Sequence, residues 1–121
     1  MAEYLPIYKP GQALTLKASA AITGGQLVAV TGSGTVGPAG AAAANWVGVA
    51  AFDAATNDNV TIHSGGVQSL TASGTIAAGD SLVSAASGQV ATGAAATPSA
   101  FVGIALTAAT NGNKVRVKFS R

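Results

Sequence analysis

The sequence predicts an all-β fold, a small β-sandwich or barrel-like domain with two pseudo-repeated halves and an extended N-terminal arm. Three observations lead there. Apolar and polar residues alternate with a period of two, as in Leu14-Thr15-Leu16-Lys17 and Lys114-Val115-Arg116-Val117-Lys118-Phe119, the pattern of a strand with one buried face. Runs of about five such residues are separated by clusters of Gly, Asn, Asp, Ser and Thr, the spacing of a sandwich or barrel. The third observation is internal repetition, a signal that must be read before single elements. Ile22–Val28 matches Ile76–Val83, and Gly34–Val36 matches Gly88–Val90. Trp46–Ala50 matches Phe101–Ala105, Ala54–Asn59 matches Ala108–Asn113, and Val60–Ile62 matches Val115–Val117. The blocks keep one order. They predict a pseudo-twofold domain in which each half covers the apolar face of the other.

Taken in order, residues 1–11 form an arm that precedes the repeat. It holds both tyrosines, two of the four prolines and Lys9. Residues 12–121 form a single β domain, with pseudo-repeats at about 12–66 and 67–121. Strands are expected at Leu14–Lys17, Val28–Val30, Val47–Val49, Val60–Ile62 and Lys114–Phe119. Asn57-Asp58-Asn59 and Asn111-Gly112-Asn113 sit between apolar runs, and Asn and Gly tolerate the positive φ of tight hairpins. Val47–Phe52 with Val60–Ile62, and Phe101–Leu106 with Val115–Phe119, are therefore the predicted hairpins. Pro38–Asn45 and Ala91–Pro98 occupy equivalent places. Each reads as a loop or one short helical turn, because four alanines alone cannot nucleate a helix.

With 121 residues, the chain is long enough to bury about two-thirds of its surface without metal or disulfide staples. It has no cysteine, which excludes disulfides and thiolate metal sites. Apolar residues reach 49%, much of it alanine; large side chains are one Trp, three Phe, two Tyr and one Met. Small side chains remove little apolar area each, so neighbours are expected to contribute to the stability of a copy. Six cations face four carboxylates, for a net charge of +2. No basic cluster is interleaved with aromatics, so nothing favours a nucleic-acid partner. The opening residues lack a signal-peptide core, and no run approaches the ~20 apolar residues of a membrane span. The chain reads as a soluble protein made in the cytoplasm, with no membrane partner.

Motifs that carry chemistry fail on their surroundings. Gly79-Asp80-Ser81-Leu82 spells an esterase signature. A nucleophilic serine needs a histidine base held by an acid, and the only histidine, His63, precedes it; the motif reads as a turn leading into a strand. His63 has no second His or Cys to share a metal, and reads as a strand-end residue near the surface. Gly32-Ser33-Gly34 and Ser64-Gly65-Gly66 lack the Gly-Lys pair and following helix of a phosphate loop and read as hairpin turns. Asn59-Val60-Thr61 matches a glycosylation sequon by coincidence in a Thr-rich chain. No catalytic residue, cofactor, metal or small-molecule substrate is expected. Two features point to partners. Lys114, Arg116 and Lys118 share one face of the last strand, a possible basic face; its plainer role is a solvated or charge-blunted edge. Tyr4, Leu5, Ile7, Tyr8 and Lys9 put large side chains into the arm, and an extended segment can add itself to a neighbour's sheet. Trp46 and Phe101 are expected in the core or in a seam between copies.

Tyr8-Lys-Pro-Gly11, Leu14–Ile22 and Gly25-Gln-Leu-Val28, followed by Val47-Gly-Val-Ala50, Asn59-Val-Thr-Ile62 and Gly66, resemble a family of small tailed-phage capsid decoration (head cement) proteins. Phe101-Val-Gly-Ile-Ala105 and Val115-Arg-Val117 resemble it too. Some of its members carry a "phage recombinase" label, which the missing phosphate loop contradicts here. The Val-Gly-Val-Ala and Val-Thr-Ile hairpin also resembles lambdoid head decoration proteins. The resemblance implies a structural protein of the virion, bound to the major capsid protein on the outer surface of the head. It implies a homotrimer that stabilises the expanded shell, with no catalytic residues. The alternatives are another virion component (tail, fibre or head-fibre base), a host-surface-binding β module, and, last, an esterase using Ser81.

Overall fold

The computed structural model describes residues 4–93 and 98–121. Residues 1–3 of the arm and 94–97 of the segment Ala91–Pro98 lie outside the described residues. Five strands make up the first half: β1 (Leu14–Ala18), β2 (Leu27–Gly32), β3 (Thr35–Pro38), β4 (Trp46–Ala50) and β5 (Asn59–His63). They close into a barrel in the order β1-β3-β2-β4-β5, with β1 and β3 parallel and the other neighbours antiparallel. The second half repeats this with β6 (Val67–Thr71), β7 (Ser81–Ala85), β8 (Gln89–Thr92), β9 (Phe101–Ala105) and β10 (Lys114–Phe119). Its sheet runs β6-β10-β9-β7-β8, the first barrel's order with each strand replaced by its counterpart. A single parallel bridge, Ala72 with Val90, stands where Ala18 pairs with Val36.

The registers fix which residues correspond. Leu27 pairs with Val49, Val28 with Gly48 and Ala29 with Trp46. In the second half Ser81 pairs with Ile104, Leu82 with Gly103 and Val83 with Phe101, and both ladders slip at the same step. The counterpart of Leu27 is therefore Ser81, and that of Val28 is Leu82. The sequence match of Gln-Leu-Val with Asp-Ser-Leu-Val set Leu27 against Leu82, one residue out. A second correction falls in the loops. The bridges Ile22 with Ala54 and Ile76 with Ala109 make Ala109 the counterpart of Ala54, although the Ala-Ala-Thr-Asn blocks align on Ala108. Asn57 and Gly112 then coincide, and these are the residues with positive φ, 75° and 84°.

Both predicted hairpin pairings form, β4 with β5 and β9 with β10. The glycine in each Val-Gly-Val/Ile-Ala block has a steric reason. A Cβ on Gly48 would lie 2.5 Å from the His63 carbonyl oxygen, and one on Gly103 would overlap the carbonyl oxygen of Lys118. Tight coiling brings the neighbouring backbone to where a side chain would start. Ser64-Gly65-Gly66 is not a hairpin turn. It carries the chain from β5 in the barrel to β6 in the second sheet, with φ of 72° and 67° at the two glycines. Gly32-Ser33-Gly34 does turn a hairpin, between β2 and β3. Ala39–Asn45 is loop without helix, and Pro98–Ala100 makes one 3-10 turn.

Two apolar clusters result. One is the interior of the first barrel: Ala18, Ile22, Val28, Val36, Ala50, Ala54, Val60 and Ile62. The other joins the interior of the second half, with Leu82, Val102, Val115 and Val117 among its members, to the outer face of the first barrel at Leu27, Ala29, Trp46 and Val49. The halves thus meet through one side of the first barrel. Trp46 is 1% exposed, stacks edge-on against Phe119 with ring centres 5.6 Å apart, and lies under the Arg121 guanidinium at 4.2 Å.

The covering is not mutual, against the twofold arrangement expected from the repeat. The β7–β8 hairpin of the second half docks on the first. The Ala42 N–H donates to the Ser84 carbonyl oxygen at 2.9 Å, and Gly88 N–H to Ala39 at 2.9 Å. A Cβ on Gly88 would fall 2.7 Å from Gln26 Cβ, whereas its counterpart Gly34 has nothing within 4 Å. The repeat runs head to tail, so the surface used by one half differs from the surface used by the other.

Candidate functional site

The described carboxylates are engaged in turns. Asp53 accepts the Gly24 N–H at 2.8 Å and Asp58 that of Ala55 at 3.3 Å. Asp80 accepts the Ala77 N–H at 2.9 Å and the Thr92 hydroxyl at 2.8 Å. These two bonds, the backbone one foremost, hold the Asp80 carboxyl below the usual carboxylate range. Gln26, its counterpart, does the same work for Thr23 N–H at 2.8 Å. The esterase-like motif is therefore a capped turn whose acid holds its own backbone, and Ser81 opens β7 at the surface. His63 ends β5, exposed. A cleft of about 240 Å³ at the seam is walled by Thr23–Gln26, Thr71, Ser87–Gln89 and Lys114. It offers backbone groups, hydroxyls, amides and one charge, with no acid and base facing each other as general acid–base chemistry needs.

The basic face forms as the alternation requires. Lys114, Arg116 and Lys118 are exposed while Val115, Val117 and Phe119 are buried. Across β6 they stand opposite Thr71, Ser69 and Val67, so no carboxylate opposes them there. Lys114 Nζ donates to the Thr71 hydroxyl at 3.0 Å. Arg121, a cation beyond this stripe, has a different job. Its guanidinium donates to the carbonyl oxygens of Ser99, Ala44 and Trp46 at 2.9–3.0 Å and clamps both halves over the Trp46 ring. The lone Trp and a cation after the last strand were the available signal, but nothing in sequence brings residues 46 and 121 together. Phe101, the counterpart of Trp46, is only half-buried.

The arm presents its large side chains to solvent. Tyr4 is 87% exposed, Leu5 75% and Ile7 90%. Behind them the chain is tied down: the Tyr8 hydroxyl accepts the Thr15 N–H at 3.2 Å, and Lys9 and Gln12 bond each other through a tight turn. Lys9 itself is exposed. Other large apolar side chains at the surface are Val30, Phe52, Val67 and Leu106. A chain poor in large residues thus leaves several of them outside.

The fold is shared with a solved phage structure, the head fiber gp8.5 N base of bacteriophage phi29. The likeness has a TM-score of 0.70 at 21% identity, over 90% of this chain and 93% of that one. Among curated protein sequences none matches the chain. The phage cement protein family model matches residues 8–120, from Tyr8 at the root of the arm to the end of β10. The chain belongs to the phage cement protein family, and is a structural virion protein that decorates the outside of the capsid.

Proposed function

We propose that this protein binds the major capsid protein through its arm, with Tyr4, Leu5, Ile7, Tyr8 and Lys9 as the contact residues, and that it does so as a homotrimer. The observation that carries the reading is the exposure of Tyr4, Leu5 and Ile7 ahead of an anchored Tyr8. Burying such side chains on a shell yields about 1.5–3 kcal/mol each, and an extended segment suits an open sheet edge or groove. Lys114, Arg116 and Lys118 form a second contact, toward acidic ground on the shell, which fixes orientation more than affinity. A binder that spans capsid subunits opposes their separation under internal DNA pressure, and many copies multiply a modest energy. The expanded shell is the form it stabilises. The β body from residue 12 acts as one domain whose work is binding, without catalysis. Deleting residues 1–8 tests the arm: shell binding disappears while the circular-dichroism spectrum and melting curve persist. Unchanged binding would reject the arm as the contact.

A second reading takes the chain as the base of a head fibre, and it is favoured by the likeness to the phi29 head fiber base. Copy number separates cement from a tail part, because decoration proteins approach the capsid subunit in number and tail parts do not.

A further inference from the structure

β6 forms an edge of the second sheet, and the two halves treat this edge differently. β6 pairs with β10 without a register shift, from Lys114 with Thr71 to Lys118 with Val67. The Ala72 N–H bonds Asn113 and the Phe119 N–H bonds Gly66, which fixes the alternation. Gln68 and Leu70 exchange bonds with β10, and the backbone groups of Val67, Ser69 and Thr71 point the other way. In the first half the same side of β1 is occupied. The Lys17 N–H donates to the Gly34 carbonyl oxygen at 3.2 Å, and the Thr15 N–H to the Tyr8 hydroxyl at 3.2 Å. The pairs Leu16 with Val60 and Leu70 with Val115 make Thr71 and Ser69 their counterparts. Among the described residues neither of these two N–H groups has a partner, and β8 pairs with β6 only through the bridge of Ala72 with Val90. Exposed edges are ordinarily blunted by a charge, a proline or a bulge. Val67-Gln-Ser-Leu-Thr71 has none of these, and Val67 is 57% exposed.

We propose that the β6 edge receives an extended segment of the capsid protein with acidic residues at alternate positions, added to the sheet as a further strand. Charge names the occupant. Lys114, Arg116 and Lys118 stand one strand further in, because β10 lies between β6 and β9. Lys114 already reaches over β6, its Nζ on the Thr71 hydroxyl at 3.0 Å, and both residues line the cleft of about 240 Å³ at the end of the edge. Ser69, opposite Arg116, is too short to screen that cation from a neighbouring strand. An added strand lies about 10 Å from β10, two strand spacings, a gap that a long cation and a glutamate close from both sides. Its backbone meets the outward groups of Val67, Ser69 and Thr71, and every second side chain faces the cations. The alternating donors and acceptors of this edge suit a polypeptide, whereas a phosphate backbone only accepts. A second copy does not supply the pattern, because no two of Glu3, Asp53, Asp58 and Asp80 stand two residues apart. This inference rests on the basic contact with the shell proposed above and names what that contact holds.

The test uses the full chain on expanded shells, with amide deuterium exchange read by mass spectrometry. Binding should slow exchange across Val67–Thr71 by about tenfold or more, a measurement that needs no variant. Ser69→Pro removes an outward N–H at a place where an edge strand accepts proline. Its melting curve should stay near the wild type while shell binding falls about tenfold; Val67→Pro puts the same question at the start of the strand. Arg116→Glu should weaken binding by a similar factor, more so at low salt. Loss in Arg116→Glu alone, with Val67–Thr71 exchanging as in the free chain, overturns the added strand and leaves the basic contact standing. Full binding in both variants overturns the inference and the basic contact together. Loss in the proline variants alone gives the edge to an uncharged strand and overturns the acidic partner.

Discussion

Gly34 and Gly88 occupy the same position in the two halves, with φ of 74° and 70°, and differ only in what stands beyond them. Alanine at either must hold a left-handed backbone, a cost of about 1–2 kcal/mol, partly offset by the lower entropy of the unfolded chain. That net cost is common to both. Only at Gly88 does the new Cβ meet the other half, 2.7 Å from Gln26 Cβ and 2.8 Å from the Leu27 carbonyl oxygen. Forcing a methyl into such a packed contact costs roughly 1–3 kcal/mol more. Gly34→Ala should therefore lose about 1 kcal/mol and Gly88→Ala about 3 kcal/mol. The assay is urea unfolding at protein concentrations where both variants are single chains. At a slope of about 1–2 kcal/mol/M, the midpoints should differ by about 1 M or more. Equal midpoints would refute the one-sided seam, because they would mean that Gly88 faces open space as Gly34 does.

Gly103→Ala should cost about 3 kcal/mol by driving β9 from the Lys118 carbonyl, and a melting curve within a degree of the wild type would contradict the close approach. Arg121→Ala removes three hydrogen bonds to carbonyls and a cation–π contact. Discounted for its exposure, it should cost about 1–2 kcal/mol and raise the accessibility of Trp46 to a fluorescence quencher. The folded Asp80 carboxyl titrates below its unfolded value. Its contribution is therefore present above about pH 4 and lost as pH falls through the folded pKa. Asp80→Asn keeps an acceptor for Ala77 and does not titrate, so the acid limb of stability against pH should flatten. An unchanged acid limb would place the proton uptake elsewhere.

Much of this fold was legible because period-two alternation in a barrel is local. Lys114–Phe119 announced β10 and its two faces. The repeat announced two equivalent halves through blocks rich in glycine, where sterics leave little choice, as at Gly48 and Gly103. What escaped was non-local. β6, Val-Gln-Ser-Leu-Thr, shares with β1, Leu-Thr-Leu-Lys-Ala, only the alternation, so the first strand pair of the repeat was not matched. The register of Leu27 was misplaced by one residue because identity favoured Leu82, whereas the structure matches Leu27 with exposed Ser81. That mismatch is informative. Leu27 is buried under the second half, whereas Ser81 stands exposed among the described residues. The clamp of Arg121 on Trp46 joins residues 75 apart, and no pattern in sequence encodes such a contact. The arm's apolar content was readable, and its exposure follows from Tyr8 being the last large side chain of the arm tied to the body.

The central claim, a cement protein on the outside of the head, is tested most directly by counting this chain in purified virions of its phage. Quantitative mass spectrometry against the major capsid protein gives the ratio. The account predicts copies that approach the capsid subunit in number and that are stripped from intact particles without loss of tails. A handful of copies per particle, or none, would contradict it.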